Sequence, residues 1–371
     1  PAIRNALPGG PTSVTCDAHL FAVIMSLNVA FFEPPPQQAE GGLERAIEML
    51  DDYFETRDVQ IQRRATASEV WRRPPDLVHF HGLWQLDHAW ASWLCRRLDV
   101  PYVVSPHGML EPWAWAQKKW KKHPYYAAVG RFHLQGADGV LATSKQEASN
   151  LQAFVSEDQL RSIPLAITDD VGPAYSEARE ALGWPDGERV LLYLSRVHPK
   201  KGLHMLLEAL VDLPSSATEN TRLVVVGPGP DDHIEHLQSY SRQHQYQLPE
   251  VVWEGPVWGD EKWTYLQGAD LMCLPTHSEN FGVVVLEALQ VGTPVLTTNM
   301  TPWGFLKEWS AGFIVAPDTE EITGALRSFG KDFTWTDTKR CQLARRAKDR
   351  FGIFTLGKKY KKMYNFVKNI K

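Results

Sequence analysis

The sequence predicts an α/β protein made of two Rossmann-like doubly wound domains that face each other across a cleft. Three observations carry this. Short apolar runs alternate with helical stretches, the pattern of parallel strands joined by helices. The alternation stops at residues 171–186, which are rich in Gly, Pro and charge, and then starts again. The length of 371 residues suits two domains. The expected limits are 1–170 for the N-terminal domain, 171–350 for the C-terminal domain and 351–371 for a closing basic helix.

In chain order, residues 1–10 hold no strand-like run. The first strand of the N-terminal domain is therefore expected to be missing, and Leu7-Pro8-Gly9-Gly10-Pro11 reads as the glycine-rich turn that would follow it. Helix-like sequence continues to about Val29. Residues 41–54 read as an amphipathic helix with Leu43, Ile47, Leu50 and Phe54 on one side. Three buried strands come next, within residues 76–82, 100–108 and 138–144. In the second half, strands are expected at 190–195, 222–227, 251–255, 271–275 and 294–297, with a helix at 202–210. Ligands of such folds bind where strand ends meet the cleft.

Composition excludes several classes. The net charge of −5 gives no basic field for nucleic acid, so no nucleic-acid partner is expected. Cys16, Cys95, Cys273 and Cys341 are far apart and form no ligand pattern, which reads as reduced thiols. Residues 20–32 are apolar but too short to span a bilayer, and no basic secretory start is present. A cytoplasmic protein is expected. His79 and His81 lack a carboxylate at ligand spacing and are read as pointing to opposite faces of their strand, so no metal is expected. Residues 339–371 carry twelve Lys or Arg and one acid.

The stretch Ser278-Glu279-Asn280-Phe281-Gly282-Val283-Val284-Val285-Leu286-Glu287-Ala288-Leu289 links a buried strand to a helix that ends at Gly292-Thr293-Pro294. The N–H groups of Asn280, Phe281 and Gly282 open the helix, where unpaired donors suit a phosphate. Glu287 lies about two turns in, on a face that can look back at the same ligand. Upstream, Ser195-Arg196-Val197-His198-Pro199-Lys200-Lys201-Gly202 follows a buried strand and sets two cations, Arg196 and Lys201, at its end. Cations there can stabilise a departing diphosphate. Gly227-Pro228-Gly229-Pro230 is not a dinucleotide fingerprint, since no Gly-x-x-Gly follows.

These segments resemble the signature of retaining GT-B glycosyltransferases of family 4 (GT4): Glu279-x7-Glu287 between an apolar-Pro strand and Gly292-Thr293-Pro294-Val295, and Ser-Arg-x4-Lys-Gly from Ser195 to Gly202. The resemblance also takes in Ser105-Pro106-His107-Gly108-Met109-Leu110. It implies a UDP- or GDP-sugar donor, a saccharide or lipid-linked acceptor, and no cofactor or metal. It implies that Glu279 holds the donor sugar, Glu287 binds the ribose and His107 orients the sugar. It further implies that Arg196 and Lys201 stabilise the leaving group, and that Gly9 and Gly10 approach the diphosphate. By the same resemblance, His81 is expected to line the acceptor side, the segment ending at Val257 to lie beside the nucleobase, and the last helix to cross back to the first domain. A sugar-nucleotide epimerase and a non-catalytic sugar-nucleotide binder remain as alternatives. Trp113-Ala114-Trp115-Ala116-Gln117-Lys118-Lys119-Trp120-Lys121-Lys122-His123 reads as a helix suited to an anionic membrane surface.

Overall fold

The computed structural model describes residues 26–35, 42–168, 174–332 and 335–370. The Gly9-Gly10 turn lies outside them. In the N-terminal half the strands are β1 Leu27–Phe32, β2 Val59–Gln62, β3 Leu77–His81, β4 Tyr102–Ser105, β5 Gly139–Ala142 and β6 Leu160–Ser162. They form a sheet in the order β2-β1-β3-β4-β5-β6. In the C-terminal half, β7 Arg189–Leu194, β8 Thr221–Val226, β9 Glu250–Gly255, β10 Leu271–Leu274, β11 Val295–Thr298 and β12 Gly312–Val315 form a second sheet, in the order β12-β11-β10-β7-β8-β9. Every pairing is parallel. Helices cover both faces, so the central strands are mostly apolar and β3, β4, β5, β10 and β11 are buried along their whole length, with His79, His81, Ser105, Thr297 and Thr298 as their buried polar residues.

Several expectations are corrected. The helix expected up to Val29 gives way to β1, whose Leu-Asn-Val-Ala-Phe-Phe run pairs with β2 and β3 and is buried except at Asn28. β2, β6 and β12 went unread. All three are sheet edges of three or four residues; polar residues interrupt β2 and β6 and leave no apolar run, while the Gly-Phe-Ile-Val of β12 is apolar and was overlooked. The expected linker at 171–186 contains the helix Tyr175–Leu182, ended by Gly183 in the left-handed region at φ +64°. Its Arg179 is buried, donating to the Asp270 carboxylate at 3.1 Å and to the carbonyls of Pro185 and Glu188 at 2.6 and 2.7 Å. That helix is therefore part of the C-terminal half. The Trp/Lys segment is not one helix: Pro112–Ala116 and Lys119–Tyr125 are separate pieces, broken where Lys118 takes φ +50°.

The chain passes between the halves twice, side by side. Ile167 N donates to the Phe351 carbonyl and Ile353 N to the Ile167 carbonyl, both at 3.0 Å. Beyond this point the helix Ile353–Lys368 packs on the N-terminal half, against the helix Gly42–Glu55. Tyr364 is buried and its hydroxyl lies 2.9 Å from His79 Nδ1, while Lys361 pairs with Asp58 at 2.6 Å and Lys368 with Asp76 at 2.8 Å.

Candidate functional site

Three loops at the ends of β7, β8 and β10 are tied to one another. Ser195 N donates to Val226 O at 3.1 Å and Val197 N to Pro228 O at 2.7 Å. Gly227 makes this approach possible: its φ is +140°, and a Cβ there would collide with the Ser195 carbonyl. On the other side, His277 N donates to Lys200 O at 2.8 Å, and the Thr276 hydroxyl donates to the same carbonyl at 3.0 Å. The pinning brings Lys201 onto Glu279, so that Lys201 Nζ donates to Glu279 Oε2 with both side chains largely buried.

Arg196, at the end of β7, is exposed, and its guanidinium has no hydrogen bond or ion pair with the described residues. Its carbonyl accepts from the buried Tyr193 hydroxyl at 3.0 Å. Burial pushes the Lys200 ammonium pKa down. Glu279 works against that shift, while Lys201 and Arg196 add to it, which puts these four charges in one neighbourhood.

The helix Val283–Gln290 starts from Gly282 at φ +73°, with Val285 N donating to Gly282 O at 2.9 Å. Phe281 is in the core, where Trp303 Nε1 donates to its carbonyl at 2.5 Å. Two turns along, Glu287 accepts from Lys262 Nζ at 2.6 Å. A cleft of about 620 Å³ runs between the halves here. One wall holds Arg196, Gly227, Val257, Lys262, Val283 and Glu287, and the other is the start of the helix Gly42–Glu55 with Glu44, Arg45 and Glu48.

From the N-terminal half come the histidines. His79 and His81 were expected on opposite faces, but their ring centroids are 4.0 Å apart. Residues two apart on a strand share a face. His81 Nδ1 lies 3.1 Å from His107 Nε2, and the two rings stack with centroids 5.3 Å apart. Burial lowers the His107 pKa to about 4 and that of His79 to about 3, and His81 is also held well below its ordinary value. All three are neutral at pH 7 and act through hydrogen bonds. His81 Nε2 and His107 Nδ1 are buried and have no partner among the described residues.

The structure thus brings Glu279, Asn280, Gly282, Lys201, Arg196, Glu287 and Val257 to one side of the junction and His107 to the other. The Asn280 side-chain amide reaches into the N-terminal half: its oxygen accepts from Thr143 Oγ1 at 3.0 Å and its nitrogen donates to Glu147 Oε2 at 3.3 Å. Sequence reasoning missed Lys262, which no local pattern marks. It also missed Glu147, although the capping spacing Ser144-x-x-Glu147 is visible. No group of three or more His, Cys, Asp or Glu among the described residues could hold a metal ion. No described helix is long and apolar enough to cross a membrane.

Comparison with known proteins agrees with the two-domain fold. Residues 175–350 match the family described as Glycosyl transferases group 1, and residues 29–166 match the Glycosyl transferase 4-like domain. A D-inositol 3-phosphate glycosyltransferase of Xylanimonas cellulosilytica is 27% identical over 299 residues, covering 76% of this chain and 66% of the relative. The chain spans between about half and two thirds of the length of such curated relatives. The sucrose-phosphate synthase of Thermosynechococcus elongatus superposes with a TM-score of 0.75 at 17% identity, over 93% of this chain and 100% of that one. HepE of Anabaena, solved in complex with UDP-glucose, gives a TM-score of 0.71 at 17% identity, over 91% of this chain and 99% of that one.

Proposed function

The chain belongs to the group 1 glycosyltransferases and has the GT-B fold, and on that premise we propose that it moves a hexose from a UDP- or GDP-sugar to a saccharide or lipid-linked acceptor, with retention at the anomeric carbon. The observation that carries the reading is the cleft wall itself. Arg196 and Glu287 line it together, with the Lys201–Glu279 pair in Arg196's electrostatic neighbourhood. The solved neighbour in complex with UDP-glucose supports a nucleotide-sugar donor.

In this reading the diphosphate lies over the Ser195-Arg196 loop and the first turn of the helix Val283–Gln290. Unpaired N–H groups and the helix dipole favour an anion there. As the bond from the anomeric carbon to the diphosphate breaks, negative charge grows on the leaving oxygen. Arg196 and Lys201 stabilise that charge more than they stabilise the bound donor, which is what lowers the barrier. The acceptor oxygen attacks from the face the diphosphate leaves, and its proton passes to the diphosphate, so no protein nucleophile is required. Glu279 accepts hydrogen bonds from donor-sugar hydroxyls and neutral His107 orients the same sugar. Glu287 accepts from the ribose hydroxyls. The backbone at Val257 reaches the nucleobase, and the protein cations take the place a metal would otherwise fill. The product is a cell-surface polysaccharide or lipopolysaccharide core. The enzyme works on the cytoplasmic side, with the Trp/Lys segment against an anionic membrane surface.

Thermal melting with UDP-, GDP- and ADP-sugars tests the donor. A donor bound only by the folded state raises the midpoint by mass action, and no rise with any of them would sink the reading. Mass spectrometry of products with and without a lipid-linked acceptor then separates a glycoside from an epimerised free sugar.

A further inference from the structure

One buried carboxylate at the junction has no part in the chemistry above. Glu147 is 2% exposed. Ser144 caps its helix by accepting the Glu147 N–H at 3.0 Å, which turns the side chain back across the end of β5. One carboxylate oxygen accepts the Gly108 N–H at 2.5 Å, and the other accepts the N–H and hydroxyl of Thr143, both at 2.7 Å. Asn280, from the opposite half, stands against the same Thr143 hydroxyl at 3.0 Å. Gly108 is one of the points where the halves touch: its φ is +76°, and a Cβ there would lie 2.5 Å from Asn280 Cβ. His107, just before it, has φ +51°. Two successive residues in left-handed backbone, one of them not glycine, need outside support to persist. Burial raises the Glu147 carboxyl pKa, and the hydrogen bonds from Thr143, Gly108 and Asn280 oppose that.

We propose that Glu147 is a positioning residue: a clasp that holds the His107-Gly108 turn against Asn280 and so sets His107 opposite Glu279. This rests on the glycosyltransferase reading. Only a carboxylate can accept from all these donors at once, because a glutamine amide would turn an N–H toward one of them.

The test uses the full chain with Glu147→Gln, Asn280→Ala (which keeps the backbone N–H) and the double variant. UDP-glucose and GDP-mannose are the donor probes, and small-angle X-ray scattering follows the closure of the halves. Each single variant is expected to lower kcat roughly tenfold while donor KM stays within about twofold. The double variant is expected to match the worse single one, because both open the same clasp, and the radius of gyration rises in all three. Asn280→Ala leaves the interior of the N-terminal half intact, so it reports even if Glu147→Gln does not fold. Multiplying losses in the double variant, or unchanged kcat in the singles, would overturn the proposal. If the wild-type chain turns over neither probe, the enzymatic reading fails by itself, and an unchanged radius in the variants overturns the clasp separately.

Discussion

Replacing Arg196 with alanine separates catalysis from folding. The side chain is exposed and makes no ion pair with the described residues, while its carbonyl bond from Tyr193 is left intact. Loss of an exposed, unpartnered side chain changes stability by about 0.5 kcal/mol at most, or roughly 1–2 °C in a domain of this size. Its proposed task is different. A donor aimed at charge that develops in the transition state contributes about 3 kcal/mol, so kcat/KM should fall by roughly two orders of magnitude. Arg196→Lys keeps a point charge but loses the fork and should recover only part of that loss. Lys201→Ala is the contrast. Its partner Glu279 is 14% exposed, so removing the ammonium strands a carboxylate and should cost about 1–3 kcal/mol of stability as well as activity. The assay is initial nucleotide release beside thermal melting of the same samples. If Arg196→Ala keeps its rate, or loses rate only in step with its melting point, the argument fails.

Three further outcomes are expected. Glu287→Gln keeps the shape but removes the charge that accepts from ribose, so calorimetry should show donor affinity falling roughly tenfold, about 1.4 kcal/mol; an unchanged dissociation constant removes Glu287 from that role. Gly227→Ala forces a Cβ into the Ser195 carbonyl at a φ of +140°, and should destabilise the C-terminal half by about 3 kcal/mol, read as a lower melting point. The third outcome concerns pH. Burial holds His88 and His107 near pKa 4 and His79 and His133 near 3, while the unfolded chain titrates near 6.5. Below 6.5 the unfolded state takes up protons that the folded state refuses. The stability is therefore full above pH 6.5 and falls as the pH drops toward 4. A melting point that does not change between pH 7 and 5 would contradict this.

The parts legible in the sequence are those where one short segment carries both structure and chemistry. β7 and β10 are apolar runs followed within two and five residues by Arg196 and Glu279, so strand and site residue read together. The unread parts depend on pairs distant along the chain. Lys262 meets Glu287 25 residues later, and Asn280 meets Thr143 across 137 residues. No local pattern encodes such meetings. The helix Tyr175–Leu182 was hidden by the Gly and Pro on either side of it, and its place is fixed by Arg179 reaching Asp270, 91 residues away. The shared face of His79 and His81 was within reach of the two-residue period of a strand, and the error there was one of geometry rather than of missing signal.

The helix Ile353–Lys368 has a consequence for biosynthesis. Tyr364 completes a core whose nearest histidine, His79, leaves the ribosome 285 residues earlier. At about 5–20 residues per second that is a wait of roughly 15–60 s. Until then the helix Gly42–Glu55 covers that flank of the first sheet by itself, and apolar surface that the finished fold buries stays open to solvent.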